Sequence, residues 1–323
     1  MPREKNIGSA ILKGWMRLHG RLPLPWHRWW GRRIGSFLGK TLRYRRHEVT
    51  VNLSRSFPSL DYGQISALSD RFYSHLGKII TEAIWMSANR GDKGRRRLTS
   101  SGLVTFTNPG ELNRLFEGSP SGAIIMMNHT GNWELIGGVL YFSVPEGGET
   151  FEMGPSDIAV TYRRMRSRAW DETLRAGRCA PMEDTPFDAY LESSHVLRYA
   201  LEHRGERKIY AFIGDQRPYG MTRRTDQVTF MGQQTETMSG AATLAIKLGM
   251  PTGYLRFAEK EDGNYDVTVV PLSEPGDGLT VQGVMQKFYS LLEEDIRREP
   301  WNYLWTHRRW KQKEQSQQQQ QQQ

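Results

Sequence analysis

The sequence predicts an α/β fold, a central and mostly parallel sheet flanked by helices, preceded by an N-terminal amphipathic helical segment. Two short apolar runs, residues 123–127 (AIIMM) and 208–213 (KIYAFI), carry the pattern of strands buried on both faces. Between and after them lie apolar residues spaced three and four apart, the mark of amphipathic helices. Alternation of the two along one chain argues for a sheet with helices packed on its faces. At 323 residues the chain has ample length for a large core.

The first 50 residues stand apart by charge. They hold 12 of the 44 Lys and Arg and 2 of the 35 Asp and Glu, a net of +10, whereas the other 273 residues hold 32 basic and 33 acidic side chains. The overall +9 therefore belongs to this segment. Four of the ten tryptophans lie here, Trp15, Trp26, Trp29 and Trp30, among Arg17, Arg28, Arg32 and Arg33. Indole rings favour the headgroup zone of a bilayer, and arginine beside them attracts anionic lipid. Pro23 and Pro25 divide the stretch into short pieces that suit an interface. Aromatics among arginines also suit single-stranded nucleic acid, and a basic arm folded back on the body is the third reading. Composition alone leaves all three open.

From Asp61 the chain reads as a helix. Asp61 and Gln64 resemble a capping box, and Ile65, Leu68, Phe72, Leu76, Ile79, Ile80 and Ala83 form one apolar face that ends near residues 89–91. A basic turn at residues 93–97 is expected next. After the strand at 123–127, residues 133–140 read as a helix. Beyond the second strand, residues 239–248 are Ala-rich and helical, stopped by Gly249 and Pro251. Strands are expected at 252–257 and 265–272 around the turn Asp262-Gly263-Asn264, then a last helix through Val281, Val284, Phe288, Leu291, Leu292 and Ile296. Residues 312–323 end in seven glutamines and are expected to be disordered. The domain reading is thus a membrane-association segment over 1–50, an α/β body over 51–311 and a tail.

Several classes are disfavoured. A single cysteine, Cys179, excludes an intrachain disulfide and a Cys-rich zinc site. No apolar stretch approaches the ~20 residues needed to span a bilayer. The basic N-terminus lacks the apolar core of a secretory signal, so a reducing compartment is expected. Neither a metal nor a cofactor is expected, since no HExxH pattern occurs.

The chemistry points to Asn128-His129-Thr130-Gly131-Asn132-Trp133-Glu134, directly after the first strand. Ligands of open α/β sheets bind outside the carboxyl ends of strands. Residues five apart on a helix point about 140° apart. His129 is therefore expected in the loop, with Glu134 in the following helix turned back towards it and Gly131 allowing the approach. Such a pair works as a base and its orienter. A His packed at a strand end beside a solvated Glu is the competing reading, and these residues alone do not separate the two.

This block resembles the signature of the bacterial lipid A biosynthesis acyltransferase family, the late lauroyl and myristoyl transferases of lipopolysaccharide assembly. Further blocks resemble it in order: Asn52-Leu53 with Phe57-Pro58, Thr161-Tyr162-Arg163, Asp215-Gln216, Phe230-Met231-Gly232 with Gly240, and residues 301–311 (WNYLWTHRRWK). The likeness spans about residues 10 to 311.

The resemblance implies a glycerolipid-acyltransferase-like fold with a cleft for an acyl chain. It implies His129 as general base with Glu134 as its partner, acting on an acyl thioester, most simply acyl carrier protein, and on a hydroxyl of a lipid A precursor or related glycolipid. Arg163, Asp215, Asn128 and Gly131 fall on substrate-binding positions, with backbone N–H groups around Gly131 as oxyanion donors. The C-terminal Trp301, Trp305 and Trp310 with Arg308, Arg309 and Lys311 are expected to be structural, with a phosphate patch as the lesser reading. The implied location is the cytoplasmic face of a Gram-negative inner membrane, attached without spanning it, and nucleic acid is disfavoured as a partner. Another membrane lipid as acceptor, such as a phosphoinositol mannoside or an aminolipid, and a non-catalytic basic binding protein are the alternatives.

Overall fold

The computed structural model describes residues 7–218 and 226–310; the glutamine-rich tail and Lys311 lie outside them. Four helices come first: α1 (Ile7–His19), α2 (Leu24–Ser36), continued by a π-type turn at Phe37–Thr41, α3 (Arg46–Ser56) and the long α4 (Tyr62–Met86). Then follow α5 (Gly91–Ser100), β1 (Val104–Phe106), α6 (Pro109–Glu117), β2 (Gly122–Met127), a 3₁₀ coil at Trp133–Tyr141, and β3 (Ile158–Tyr162). The chain continues through α7 (Arg168–Arg178), β4 (Tyr190–Glu192), α8 (Val196–Glu202) and β5 (Lys208–Ile213). A hairpin of β6 (Gln227–Phe230) and β7 (Gln233–Glu236) precedes α9 (Gly240–Leu248), β8 (Thr252–Glu259), β9 (Tyr265–Ser273) and α10 (Val281–Arg298).

Seven strands form the central sheet in the order β1-β9-β8-β2-β5-β3-β4. From β8 to β4 all neighbours are parallel, and β9 turns antiparallel to β8 through the turn at residues 260–264. Every residue of β2 is buried, as its apolar run predicts. Its side chains alternate between two cores. Ile124 and Met126 face α9 and α10 with Phe288 and Leu292, while Ala123, Ile125 and Met127 face α5 and α6 with Leu98 and Leu115.

Local signals explain most boundaries. Asp61 accepts from the Gln64 amide at 2.8 Å and donates its own N–H to the Gln64 side chain at 2.9 Å, which closes the expected capping box at the start of α4. Gly249, at φ +61°, ends α9 in the left-handed conformation that favours glycine. Two stretches differ from expectation. The basic run 93–97 is helical within α5: Asp92 pairs with Arg95, and Arg97 lies over the Trp85 ring while donating to the carbonyls of Gly20 and Leu22. These contacts hold in a helix a segment that reads as a turn by composition. Residues 133–141 wind as a tight 3₁₀ coil, and within it Gly137 is pressed against the Arg178 carbonyl, where a Cβ would come within 1.8 Å.

The N-terminal segment is docked on the body. α2 crosses α4 at backbone contact through glycines: a Cβ on Gly77 would stand 2.0 Å from the Gly31 carbonyl oxygen and 2.5 Å from the Gly35 nitrogen. Arg28 ties the same helix to Glu82 at 3.0 Å and to the Gly263 carbonyl at 2.8 Å. α3 runs across residue 50 and joins the basic segment to the body. No helix among the described residues is long and apolar enough to cross a membrane.

Gly77→Val should force α2 and α4 apart and lower stability by about 1–3 kcal/mol or more, read as a fall in the thermal unfolding temperature; an unchanged midpoint would show that the two helices are not packed at this crossing.

Candidate active site

β3, β5 and β2 are successive parallel neighbours, and the chain leaves their carboxyl ends at Arg163, Gly214-Asp215 and Asn128-His129. Three residues far apart in sequence thus reach one edge of the sheet, where ligands of such sheets bind.

The loop after β2 is fixed from several sides. Asn128 Oδ1 accepts from the Thr130 amide at 2.8 Å and the Thr130 hydroxyl at 2.6 Å. The Gly131 amide donates to Asn302 Oδ1 at 2.6 Å, and its carbonyl lies 3.3 Å from His75 Nε2. Thr130 bridges to Tyr303, and Asn132 donates to Glu82 at 2.9 Å. Gly131 sits at φ +61° with its α-carbon facing Phe257, so that a Cβ would come within 2.1 Å of the ring. Asn128 and Gly131 therefore shape the loop and do not line the cleft. With its amide committed to Asn302, Gly131 does not offer that N–H to an oxyanion.

His129 has a different carboxylate partner from the one expected. Its Nδ1 lies 2.7 Å from Asp215 Oδ1, and its backbone N–H donates to Asp215 Oδ2 at 3.3 Å. Glu134 instead meets Arg178 in a two-pronged pair, Nε to Oε2 at 2.7 Å and Nη2 to Oε1 at 2.6 Å. The reason is electrostatic. Arg178 carries a permanent charge into the cleft and needs a full counter-charge in fork geometry, while Asp215 reaches the imidazole from the neighbouring strand. Glu134 still touches the His129 environment through Trp133, whose indole N–H donates to Glu134 at 3.1 Å and whose ring packs edge-on against the imidazole at 4.9 Å between centroids.

Asp215 is buried and Glu134 half-buried, and the directions of their acidities follow from their partners. Burial pushes the Asp215 carboxyl up, but the adjacent His129, by charge and hydrogen bond, together with backbone N–H donors, brings it below its ordinary value. For Glu134 burial again raises, and Arg178 and the Trp133 N–H outweigh it, leaving a net lowering. With Asp215 ionised, Nδ1 of His129 holds the proton and Nε2 presents a lone pair, 3.2 Å from the Gln216 side-chain nitrogen.

The back wall comes from the C-terminal segment. Tyr303 is buried beside Asp215. Arg309, 4% exposed, donates to the Glu236 carbonyl at 2.7 Å and to the Tyr289 hydroxyl at 2.8 Å, and Tyr289 in turn donates to the Gly214 carbonyl at 3.2 Å. His307 Nε2 accepts from the Arg217 amide at 3.0 Å, and burial brings its pKa down to about 4. Trp305, Trp310 and Trp301 each send their N–H inward, to Pro300, Thr235 and Glu259, and Arg308 pairs with Glu48. These contacts agree with the structural reading of the block.

In front of His129 opens a cleft of about 390 Å³. Ile136, Val139, Ile158, Val160, Phe212 and Met182 line it, and its polar points include His129, Gln216, Arg163 and Arg178. Its size falls in the ~300–1,000 Å³ range of ligand pockets. Arg163 lines the cleft as expected of a substrate contact. Asp215, also expected to meet substrate, is 1% exposed and lies behind the imidazole. Arg178 and Asn302 carried no readable signal in the sequence, since neither belongs to a spacing that chemistry dictates. No cluster of His, Cys, Asp and Glu suited to a metal ion occurs among the described residues.

The family model described as bacterial lipid A biosynthesis acyltransferase matches residues 4–312, nearly the whole chain. No curated protein matches.

His307 gives a pH signature. Its folded value of about 4 lies below the ordinary 6.5, so the unfolded chain binds the extra proton between those limits and stability falls as pH drops through that window. Replacing it in His307→Gln, which keeps an acceptor for the Arg217 amide, should flatten the unfolding temperature between about pH 6.5 and 4; an unchanged slope would assign the acid sensitivity to other groups. Asp215 and Glu134 contribute in the range below, because stability from a depressed carboxylate is complete above its unfolded value and is lost as pH falls through its folded one.

Proposed function

The chain belongs to the bacterial lipid A biosynthesis acyltransferase family, and from that premise we propose that it moves a fatty acyl chain from a thioester on acyl carrier protein to a hydroxyl of a lipid A precursor or related glycolipid, with His129 as general base. Membership supports acyl transfer from a donor to a lipid acceptor in general. The observation that carries the finer reading is the imidazole itself, held at Nδ1 by the buried Asp215 at 2.7 Å with Nε2 turned to an apolar cleft.

In this reading the acyl chain lies along Ile136, Val139 and Phe212, which brings the thioester carbonyl to the cleft mouth near His129. The acceptor hydroxyl gives its proton to Nε2 as its oxygen attacks the carbonyl carbon. The new C–O bond forms, the carbonyl electrons move to oxygen, and collapse of the tetrahedral intermediate breaks the C–S bond. The departing sulfur takes the proton back from Nε2. Asp215 favours the imidazolium formed in between and fixes the ring, acting as a positioning residue. Glu134 holds Arg178 and, through Trp133, the outer face of the imidazole ring. Arg163 at the cleft suits a phosphate of the acceptor or the charge of the developing oxyanion.

The N-terminal helices support attachment to the cytoplasmic face of an inner membrane. Trp15, His19, Trp26, Trp30 and Trp29 form a continuous run of ring contacts from α1 to α2, with the four indoles 38–49% exposed. Amphipathic rings at a surface suit a lipid headgroup zone.

His129→Ala should lower kcat about 10²–10⁴-fold with the fold intact, and Asp215→Asn should lower kcat with little change in the KM of the acceptor, part of the loss returning in Asp215→Glu. Glu134→Ala should abolish transfer and also lower the thermal unfolding midpoint, because it removes the two-pronged partner of Arg178 at the cleft. Full activity in His129→Ala would overturn the mechanism. Mass spectrometry of the host's lipids with and without the gene reads the acceptor: loss of one acyl chain from lipid A supports the assignment, and loss from another membrane lipid redirects it.

A further inference from the structure

A second pocket, of about 600 Å³, opens away from the catalytic cleft, between the end of α1 and the turn from α4 into α5. Five cations line it, Arg17, Arg21, Arg90, Lys93 and Arg97, with two small residues and no acidic side chain. Two of the five are structural. Arg97 donates to the carbonyls of Gly20 and Leu22 at 3.0 and 3.1 Å, and Arg90 to those of Ser87 and Ala176 while pairing with Glu183. The nearby Asp92 is taken by Arg95. The side chains of Arg17, Arg21 and Lys93 have no hydrogen-bond or ion-pair partner among the described residues. Like charges gathered in one concavity repel each other, and an anion seated among them removes that cost.

The same helix carries the second observation. At about 100° per residue, Ile7, Ile11, Trp15 and Leu18 fall within roughly 80° of one another on the outer face of α1. They are 49–75% exposed, whereas Ser9 and Met16 on the opposite face are buried. Arg17 stands on the flank between the two faces. A row of exposed apolar side chains along one helix, beside a cationic pocket at its end, matches a molecule with hydrocarbon on one side and a phosphate on the other.

We propose that the pocket formed by Arg17, Arg21 and Lys93 over Arg90 and Arg97 binds the phosphate headgroup of an anionic membrane lipid, with the apolar face of α1 resting among its acyl chains. The site rests on the membrane-bound reading of the N-terminal helices and adds a defined headgroup contact to it, separate from the catalytic cleft. Arginine and lysine from two elements give a phosphate both fork geometry and a point charge.

The test uses the full-length protein and vesicles of phosphatidylcholine alone or with about one-fifth phosphatidylglycerol, in sedimentation without turnover. Arg17→Gln with Lys93→Gln should reduce partition to the phosphatidylglycerol vesicles at least about tenfold, leave binding to phosphatidylcholine unchanged, and preserve turnover on detergent-dispersed substrate. The control pair Arg32→Gln with Arg43→Gln removes the same charge outside the pocket and should cost less than about threefold. Equal losses in both pairs would mean diffuse attraction and overturn the site, as would wild-type protein that does not sediment with the anionic vesicles. Unchanged partition in the pocket pair together with a raised KM for acyl carrier protein would give the pocket to an acidic protein and overturn the lipid. Inorganic phosphate that stabilises wild type but not the pair, with vesicle binding intact, would assign it to a soluble anion. Absence of any acyl transfer by the wild type would refute the catalytic reading while leaving the vesicle result to stand alone.

Discussion

A carboxylate buried next to an imidazole is the contact around which this molecule is arranged. An isolated Asp215 at 1% exposure would be costly in a low-dielectric interior, and it is tolerable only because its oxygens are met on every side. His129 supplies a ring nitrogen and a backbone N–H, Asp215's own backbone a further donor, and Tyr303 packs beside it. Meeting those demands draws the C-terminal segment across the carboxyl edge of the sheet. Once there, Asn302 and Tyr303 also hold the loop that carries His129. One electrostatic requirement thus binds together the ends of two strands and the last described residues of the chain.

A second buried network ties the N-terminal helices to the same loop. Glu82 on α4 accepts from Arg28, Asn132 and Tyr265, and Glu259 meets both His75 and Lys78. Burial pushes the Glu259 carboxyl up, but His75 and Lys78, by hydrogen bond and charge, outweigh it and bring it down to about 2, so this carboxylate stays ionised throughout the physiological range. The basic surplus of the first 50 residues is accordingly of two kinds. Arg28, Arg45 and Arg46 are used inside the fold, on Glu82, the Thr306 carbonyl and Asp70, whereas Arg17 and Arg21 face an open pocket. Charge counted along the sequence does not distinguish a structural arginine from a recognising one.

Much of the scaffold was legible beforehand. The all-apolar run at 123–127 and the run at 208–213 read as strands, of which the first is buried throughout and the second in its first half, and the spacing of Ile65, Phe72 and Leu76 fixed a helix face, because side-chain period is a local property that burial enforces. The capping box at Asp61 was readable for the same reason. The helical form of residues 93–97 was not, since it depends on Arg97 reaching Gly20 and Leu22, more than 70 positions away. The contact of Gly137 with the Arg178 carbonyl, across more than 40 positions, was likewise out of reach of local pattern.

By itself the sequence determined the α/β class, the location of His129 at a strand end and the family, all of which are carried by residues close together in the chain. Which acid faces the imidazole was decided only in three dimensions. The spacing of His129 and Glu134 suggested a pair, but β2 and β5 lie side by side and deliver Asp215 to Nδ1, while the end of α7 delivers Arg178 to Glu134. Partner choice between charged groups depends on distances across strands and on which charges are permanent, and neither quantity is encoded in the separation of residues along a chain.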